Sequence, residues 1–221
     1  MVDGIVTGER VDQAGESGVS IVGPVGVVGP TLMILDVAFA HVGAAVLMYN
    51  EGSWQAIHAE VVSTEKETKK TTVRVADDNF RRCQELFRAL AALIERYHVA
   101  AAIAELPSGG SKSAIAMAAM ARGAAVFACV AQAAGIVVEC TTPGDGKKAL
   151  AGAANASKGQ MMQAALVKFP ELRRFFKAKR GKTDELENEF EHVADAVGAF
   201  CAARGGVAEN LVVQLSLRGQ P

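Results

Sequence analysis

Four residues of this chain combine side-chain types and spacings that suit metal-assisted hydrolysis. Asp36 closes the apolar run Leu32-Met33-Ile34-Leu35, and Glu105 closes Ala101-Ala102-Ile103-Ala104. His192 and Asp195 stand three apart in Glu191-His192-Val193-Ala194-Asp195-Ala196. Acids at the ends of neighbouring strands point into a shared crevice, and two helical residues three apart lie on one face and can reach that crevice too. Such an oxygen-rich set suits hard divalent cations such as Mg²⁺ or Mn²⁺. A pair of these ions can activate water and steady the leaving oxygen of a phosphodiester. An unpartnered carboxylate at the end of a buried strand is costly, so Asp36 in particular calls for a metal or a partner.

The formal net charge is −1, which makes no global case for nucleic acid. The distribution does. Between Lys147 and Lys182 there are ten basic residues, opposed only by Glu171, and the next stretch carries Asp184, Glu185, Glu187, Glu189, Glu191 and Asp195. A basic surface beside an acidic metal site is what a nuclease needs. Lys147, Lys148 and Lys158, with Lys112 in the loop after the Glu105 strand, are the candidates for phosphate contacts. The alternative for these lysines is a solvated helix surface. Glu189 and Glu191 read as exposed helix charges. Neither Gly23–Thr31 nor Ser108–Ser113 fits a phosphate-binding loop that ends in Gly-Lys-Ser/Thr, which argues against nucleoside-triphosphate hydrolysis.

The elements that must position these residues follow from periodicity. Residues 1–30, rich in Gly and Val, read as a partly disordered extension with room for one added strand around Val19–Val22. Strands are expected over 31–36, Val42–Tyr49 and Gln55–Ser63, with a turn holding His41 and Gly43 between the first two. Apolar residues at Phe80, Cys83, Phe87, Leu90, Ile94 and Tyr97 predict a helix over Asp78–Tyr97, and Val99–Glu105 is the next strand. Ser113–Ala134 is apolar almost all round, as a helix buried between layers would be, and Gly135 stops it. Ile136–Cys140 reads as a strand, Pro143–Gly146 as a turn, and Lys147–Leu150 as the start of a short helix. Ser157 caps a helix to Lys168, and Thr183 is expected to cap the last one. Three antiparallel strands, then alternating helices and strands, predict an α/β fold with a mixed sheet covered on both faces. The nuclease domain is expected over 31–204, with 205–221 as a C-terminal tail.

Cys83, Cys129, Cys140 and Cys201 form no Cys-x-x-Cys pair and read as free thiols, mostly buried, in a reducing compartment. The N-terminus does not read as a secretory signal, and no membrane-spanning helix is expected, because Ser17–Leu35 is broken by glycines and prolines and Gly123–Val138 is short.

The layout and its acids resemble the RuvC family of Holliday junction resolvases, within the RNase H-like superfamily, over roughly residues 31–204. Ile34-Leu35-Asp36 followed by His41-Val42-Gly43 is similar to the family's first strand and hairpin, and Ile103-Ala104-Glu105 to its second acidic strand. Ser113-Ala114 through Ala121-Arg122-Gly123 resembles its long helix. Lys147, Gly152 and Ala156-Ser157-Lys158-x-Gln160 resemble its Lys…Gly…Lys-x-Gln segment, and His192-x-x-Asp195-Ala196 its terminal metal-binding helix. The resemblance implies two Mg²⁺ ions, with Mn²⁺ as a substitute, on Asp36, Glu105, His192 and Asp195. It implies in-line hydrolysis of four-way or branched DNA by a homodimer, leaving 5′-phosphate and 3′-hydroxyl ends, in the cytoplasm of a bacterium or of a phage-infected host. The rivals are another RNase H-like nuclease acting on branched DNA or RNA–DNA hybrids, and a non-catalytic DNA-binding protein of the same fold. Two departures stand out. Asp36-Val37-Ala38 replaces the family's Asp-Pro-Gly, so the turn there must be made differently. Leu106-Pro107-Ser108 lacks the aromatic that often follows the second acid and wedges into the junction. Besides these two, residues 1–30 and the basic Arg173–Lys182 segment have no recognised counterpart in the family.

Overall fold

A computed structural model describes residues 29–67, 74–106, 113–179 and 182–219. Its centre is a five-stranded sheet in the order β3-β2-β1-β4-β5. The strands are β1 (Thr31–Asp36), β2 (His41–Asn50), β3 (Ser53–Ser63), β4 (Val99–Glu105) and β5 (Val137–Thr141). β1, β2 and β3 pair antiparallel, while β1, β4 and β5 run parallel. Central strands covered on both faces read as unbroken apolar runs, and Leu32–Leu35 and Ala101–Ala104 are fully buried.

Alternation along β1 divides the core in two. Leu32 and Ile34, with Ala45, Ala101 and Ile103, face α4 (Lys158–Lys168), α5 (Phe190–Ala202) and α6 (Val207–Arg218). Met33 and Leu35, with Ala102 and Ala104, face α1 (Val75–Arg96) and α2 (Ala114–Ala134). α3 (Pro143–Ala151) follows β5. A 3-10 turn (Pro170–Phe175) leads into a small hairpin, β6 (Ala178–Lys179) and β7 (Lys182–Leu186). The mixed α/β sheet expected from the sequence is therefore present, and Gly135 ends α2 in the left-handed conformation at φ 66°.

Several expectations are corrected. His41 and Gly43 belong to β2, and the turn after β1 is made by residues 37–40. Pro143–Gly146 is the first turn of α3; Pro there lacks only an N–H that would have no helical partner, and Thr142 Oγ1 accepts from Asp145 N. Thr183 does not precede a helix. It lies in β7, and α5 starts at Phe190, where Phe190 N donates to Glu187 O. α2 is not buried between layers: Gly123, Phe127, Val130 and Ala131 are buried, but Ile115 is 83% and Met117 44% exposed. α2 has one neighbouring layer, the sheet with α1 beside it, and most of its alanines, Ala131 excepted, lie away from the core. By length and composition α2 is apolar enough to cross a membrane, although Phe127 and Val130 are built into the core. The four cysteines are free, but Cys129 and Cys140 are exposed and Cys83 and Cys201 half-buried. Residues 205–221, set apart above as a tail, contain α6, whose Ala208 and Val212 are fully buried. The strand proposed around Val19–Val22 lies outside the described residues.

Candidate active site

β1 and β4 run parallel in a register that pairs Asp36 with Glu105. Both residues continue the alternation of Ile34 and Ile103, so both side chains emerge on the α5 face. On the other side of Asp36 its partner is Gly43 of β2. A Cβ at Gly43 would lie 2.2 Å from the carbonyl carbon of His192, so only glycine lets α5 lie this close to the sheet. That approach brings His192 Nδ1 to 3.0 Å from Asp36 Oδ2. Asp195 follows three residues along the same helix. The ring of His41 stacks on His192 with centroids 5.5 Å apart, and its Nδ1 is 2.9 Å from Ser63 Oγ.

A second close approach supplies a cation. A Cβ at Gly146 would lie 3.1 Å from Glu105 Oε2 and 3.2 Å from the carbonyl carbon of Gly198. The Gly146–Gly198 contact presses α3 against α5 and sets half-buried Lys147 within electrostatic reach of Glu105 and Asp195.

The turn after Asp36 dispenses with Pro-Gly by being tied from several sides. Val37 N donates to Glu105 O, Thr64 Oγ1 donates to Phe39 O at 2.7 Å, and Thr64 N donates to Ala40 O. Phe39 is buried with the Arg82 guanidinium 4.3 Å above its ring, and Arg82 Nε donates to Thr64 Oγ1. Gly123 admits α2 against this turn, since a Cβ there would meet the Ala38 carbonyl carbon at 2.8 Å.

The site is electrostatically strained toward protons or cations. Glu105, only 7% exposed, is pushed up to about 8, first by burial and then by Asp36 and Asp195, with Lys147 opposing. Asp195 is pushed up to about 6, again first by burial and then by Asp36. His192 is raised chiefly by its hydrogen bond to Asp36. Three carboxylates and an imidazole form a hard, oxygen-rich donor set that fits Mg²⁺ or Mn²⁺. Thr141 Oγ1, on the strand beside Glu105, is buried and has no hydrogen-bond partner among the described residues, which leaves a free polar group at the acids. Among the described residues, however, no three His, Cys, Asp or Glu side chains form a ready-made metal cage. Asp36 is engaged by His192, and Glu105 Oε2 lies against Gly146, so the acids converge without closing.

The predicted phosphate contacts divide. Lys147 lies at the acids and Lys148 is exposed beside it. Lys158 is exposed, but its Nζ is 2.8 Å from Glu191 Oε1, so it is paired rather than free. Glu191 is correspondingly not a lone exposed charge. Lys112 lies outside the described residues. The sequence reading missed Thr141, His41 and the contact between Gly146 and Gly198; Gly146 was visible only as a turn residue.

A five-stranded sheet of this order, with two acids at adjacent parallel strand ends and a third on the covering helix, defines an RNase H-like nuclease domain. Among solved structures, Thermus thermophilus RuvC in complex with a Holliday junction substrate matches with a TM-score of 0.58 and 16% identity, covering 79% of this chain and 92% of that chain. A second Thermus thermophilus RuvC structure matches with a TM-score of 0.57 and 18% identity, covering 78% and 92%. No curated protein matches. The family model for the crossover junction endodeoxyribonuclease RuvC matches residues 32–174, and the chain belongs to that family of junction-resolving nucleases. The matched span includes Asp36, Glu105, Lys147 and Lys158 and stops before β6, so His192 and Asp195 lie beyond it.

Proposed function

We propose that this chain is a Mg²⁺-dependent endonuclease that resolves four-way DNA junctions as a homodimer, with Asp36, Glu105, His192 and Asp195 as its metal-holding and catalytic group. The observation that carries the reading is the convergence of Asp36, Glu105 and Asp195 on one face of the sheet, with His192 bonded to Asp36. When bound, Mg²⁺ ions would supply the charge that activates water and neutralises the leaving oxygen; Mn²⁺ would substitute. The protein's share is to hold acids where burial makes them poor homes for free charge, to orient His192 through Asp36, and to place Lys147 beside the scissile phosphate. Lys148, and Lys158 once released from Glu191, would track the neighbouring backbone, with Lys112 in the adjoining loop.

The homodimer follows from the need for two symmetric cuts, and a two-fold pair is the commonest oligomer. Ile115 and Met117 on α2, with Phe80 of α1 at 65% exposure, give an apolar surface that a second copy would cover. The domain would run from residue 31 through α6, whose Ala208 and Val212 are part of its core, working in the cytoplasm of a bacterium or a phage-infected host.

The deciding experiment is incubation with a synthetic four-way junction, a flap, a linear duplex and an RNA–DNA hybrid, with and without Mg²⁺. Paired symmetric nicks in the junction alone support the reading. Preference for another substrate would make the chain a different RNase H-like nuclease, and binding without cleavage of any would make it a DNA-binding protein of this fold.

A further inference from the structure

Thr141 ends β5, and its partner across the parallel ladder is Glu105. Parallel partners project to the same face about 5 Å apart. The face is fixed independently: two residues earlier, Glu139 points to the α6 side, where its Oε2 accepts from Ala208 N at 3.1 Å. Thr141 therefore stands beside Glu105 on the side where the acids gather. Leu106 N donates to Thr141 O, which locks the two strand ends together. Yet Thr141 Oγ1 is buried without a partner, and it is the one buried side-chain polar atom in that condition among the described residues.

A hydroxyl is seldom kept in this state for stability. A buried donor without an acceptor costs free energy, and replacing it by an apolar group of the same shape is neutral or stabilising. Valine is isosteric and at least as good a strand former. The hydroxyl sits on the strand position paired with Glu105, whose Oε2 in this arrangement lies against Gly146.

We propose that Thr141 is a positioning residue for Glu105: its Oγ1 donates to the Glu105 carboxylate when that side chain turns inward to hold the metal, fixing which oxygen faces the ion. Outer-shell donors of this kind orient ligating carboxylates, and their removal weakens metal binding roughly 10- to 100-fold. The proposal rests on the metal-dependent reading given above. In the present arrangement the hydroxyl has no acceptor among the described residues; with Glu105 turned toward it, it would have one.

The two states give the test opposite signs. Thr141→Val is compared with wild type and Thr141→Ser by thermal melting in EDTA and by Mn²⁺ binding measured calorimetrically on the full chain. The expected result is that Thr141→Val melts no lower than wild type without metal, yet binds Mn²⁺ about tenfold more weakly, and that Thr141→Ser restores the affinity. In a Glu105→Gln background, Thr141→Val should change Mn²⁺ affinity no further. Wild-type affinity in Thr141→Val overturns the proposal, as does a lowered melting point in EDTA, which would mean that the hydroxyl is structural. Additive losses in the double variant would also overturn it. If wild type itself binds no Mn²⁺ and cuts no junction, it is the metal-dependent function that fails.

Discussion

Gly43 and His192 meet backbone to backbone: the position where Gly43 lacks a Cβ lies 2.3 Å from the His192 carbonyl oxygen. One hydrogen atom in place of a methyl group thus decides how closely α5 seats on β2, and the bond between His192 and Asp36 depends on that seating.

Gly43→Ala is accordingly predicted to damage stability and activity together. Neither the strand nor the helix backbone can yield locally, so α5 must shift, at a cost of about 1–3 kcal/mol typical of overpacking. Urea unfolding should show that loss, and junction cleavage should fall at least 100-fold. His192→Ala serves as the control, losing activity while unfolding near the wild-type midpoint. A Gly43→Ala protein with wild-type stability would show that α5 does not rest on β2.

Removing any of the acids should separate cutting from binding. Asp36→Asn, Glu105→Gln and Asp195→Asn are each expected to abolish cleavage while leaving junction affinity within a few-fold, because a carboxylate at the metal site makes little contact with phosphates. Gel-shift and nicking assays on the same preparations check this. A variant that cuts at near wild-type rate removes its residue from the catalytic group.

Glu105 makes the metal-free protein sensitive to pH in a direction opposite to that of a salt-bridged carboxylate. Its folded pKa, about 8, lies above the ordinary value of 4.5, so the folded state holds more protons than the unfolded state between these limits. Glu105's contribution to stability is therefore full below about pH 4.5 and is lost as pH rises through about 8. Glu105→Gln removes this loss and should be more stable than wild type above pH 8, by up to about 5 kcal/mol for a shift of this size, in chemical denaturation with EDTA present. Metal loading must displace the same proton, so Mn²⁺ binding at pH 7 should release protons, seen as a dependence of calorimetric heat on the buffer's ionisation enthalpy. Equal stability of wild type and Glu105→Gln at pH 9 would contradict the placement of Glu105 in a dry site.

The lysines should differ in what their loss does to the salt dependence of junction binding. Lys147→Ala is expected to reduce the slope by about one unit, uniformly across junction sequences. Lys158→Ala should do less, because Lys158 is paired with Glu191; Glu191→Gln should tighten binding by freeing it. Neutralising Lys177, Lys179 and Lys182 tests whether the hairpin grips DNA as an arm of its own. An unchanged slope for Lys147→Ala would move that lysine away from the DNA path.

Much of this was legible in the chain. The unbroken apolar runs ahead of Asp36 and Glu105 marked central strands, and strand-end acids with a helical His-x-x-Asp marked the crevice. What periodicity could not give was depth. The all-round apolar pattern of Ser113–Ala134 reads alike for a helix with two covering layers and for one with a bare side, and Ile115 proved to be on the bare side. Lys182–Leu186 reads as charged and helix-initiating, but its pairing with β6 is a tertiary fact. Thr141 and Gly146 carry no signal at all, because their roles arise only when β4, β5, α3 and α5 are brought together.

The hydrogen bond between Asp36 and His192 spans 156 residues of chain. Asp36 and Glu105 are therefore synthesised long before the helix that completes their site, and the basic hairpin intervenes before α5 begins. A chain cut short anywhere before α5 holds two of the four groups and none of the covering helix. If the four groups are the catalytic set proposed above, a copy ending before α5 would carry the sheet and Lys147 without His192 and Asp195, and would not cut DNA.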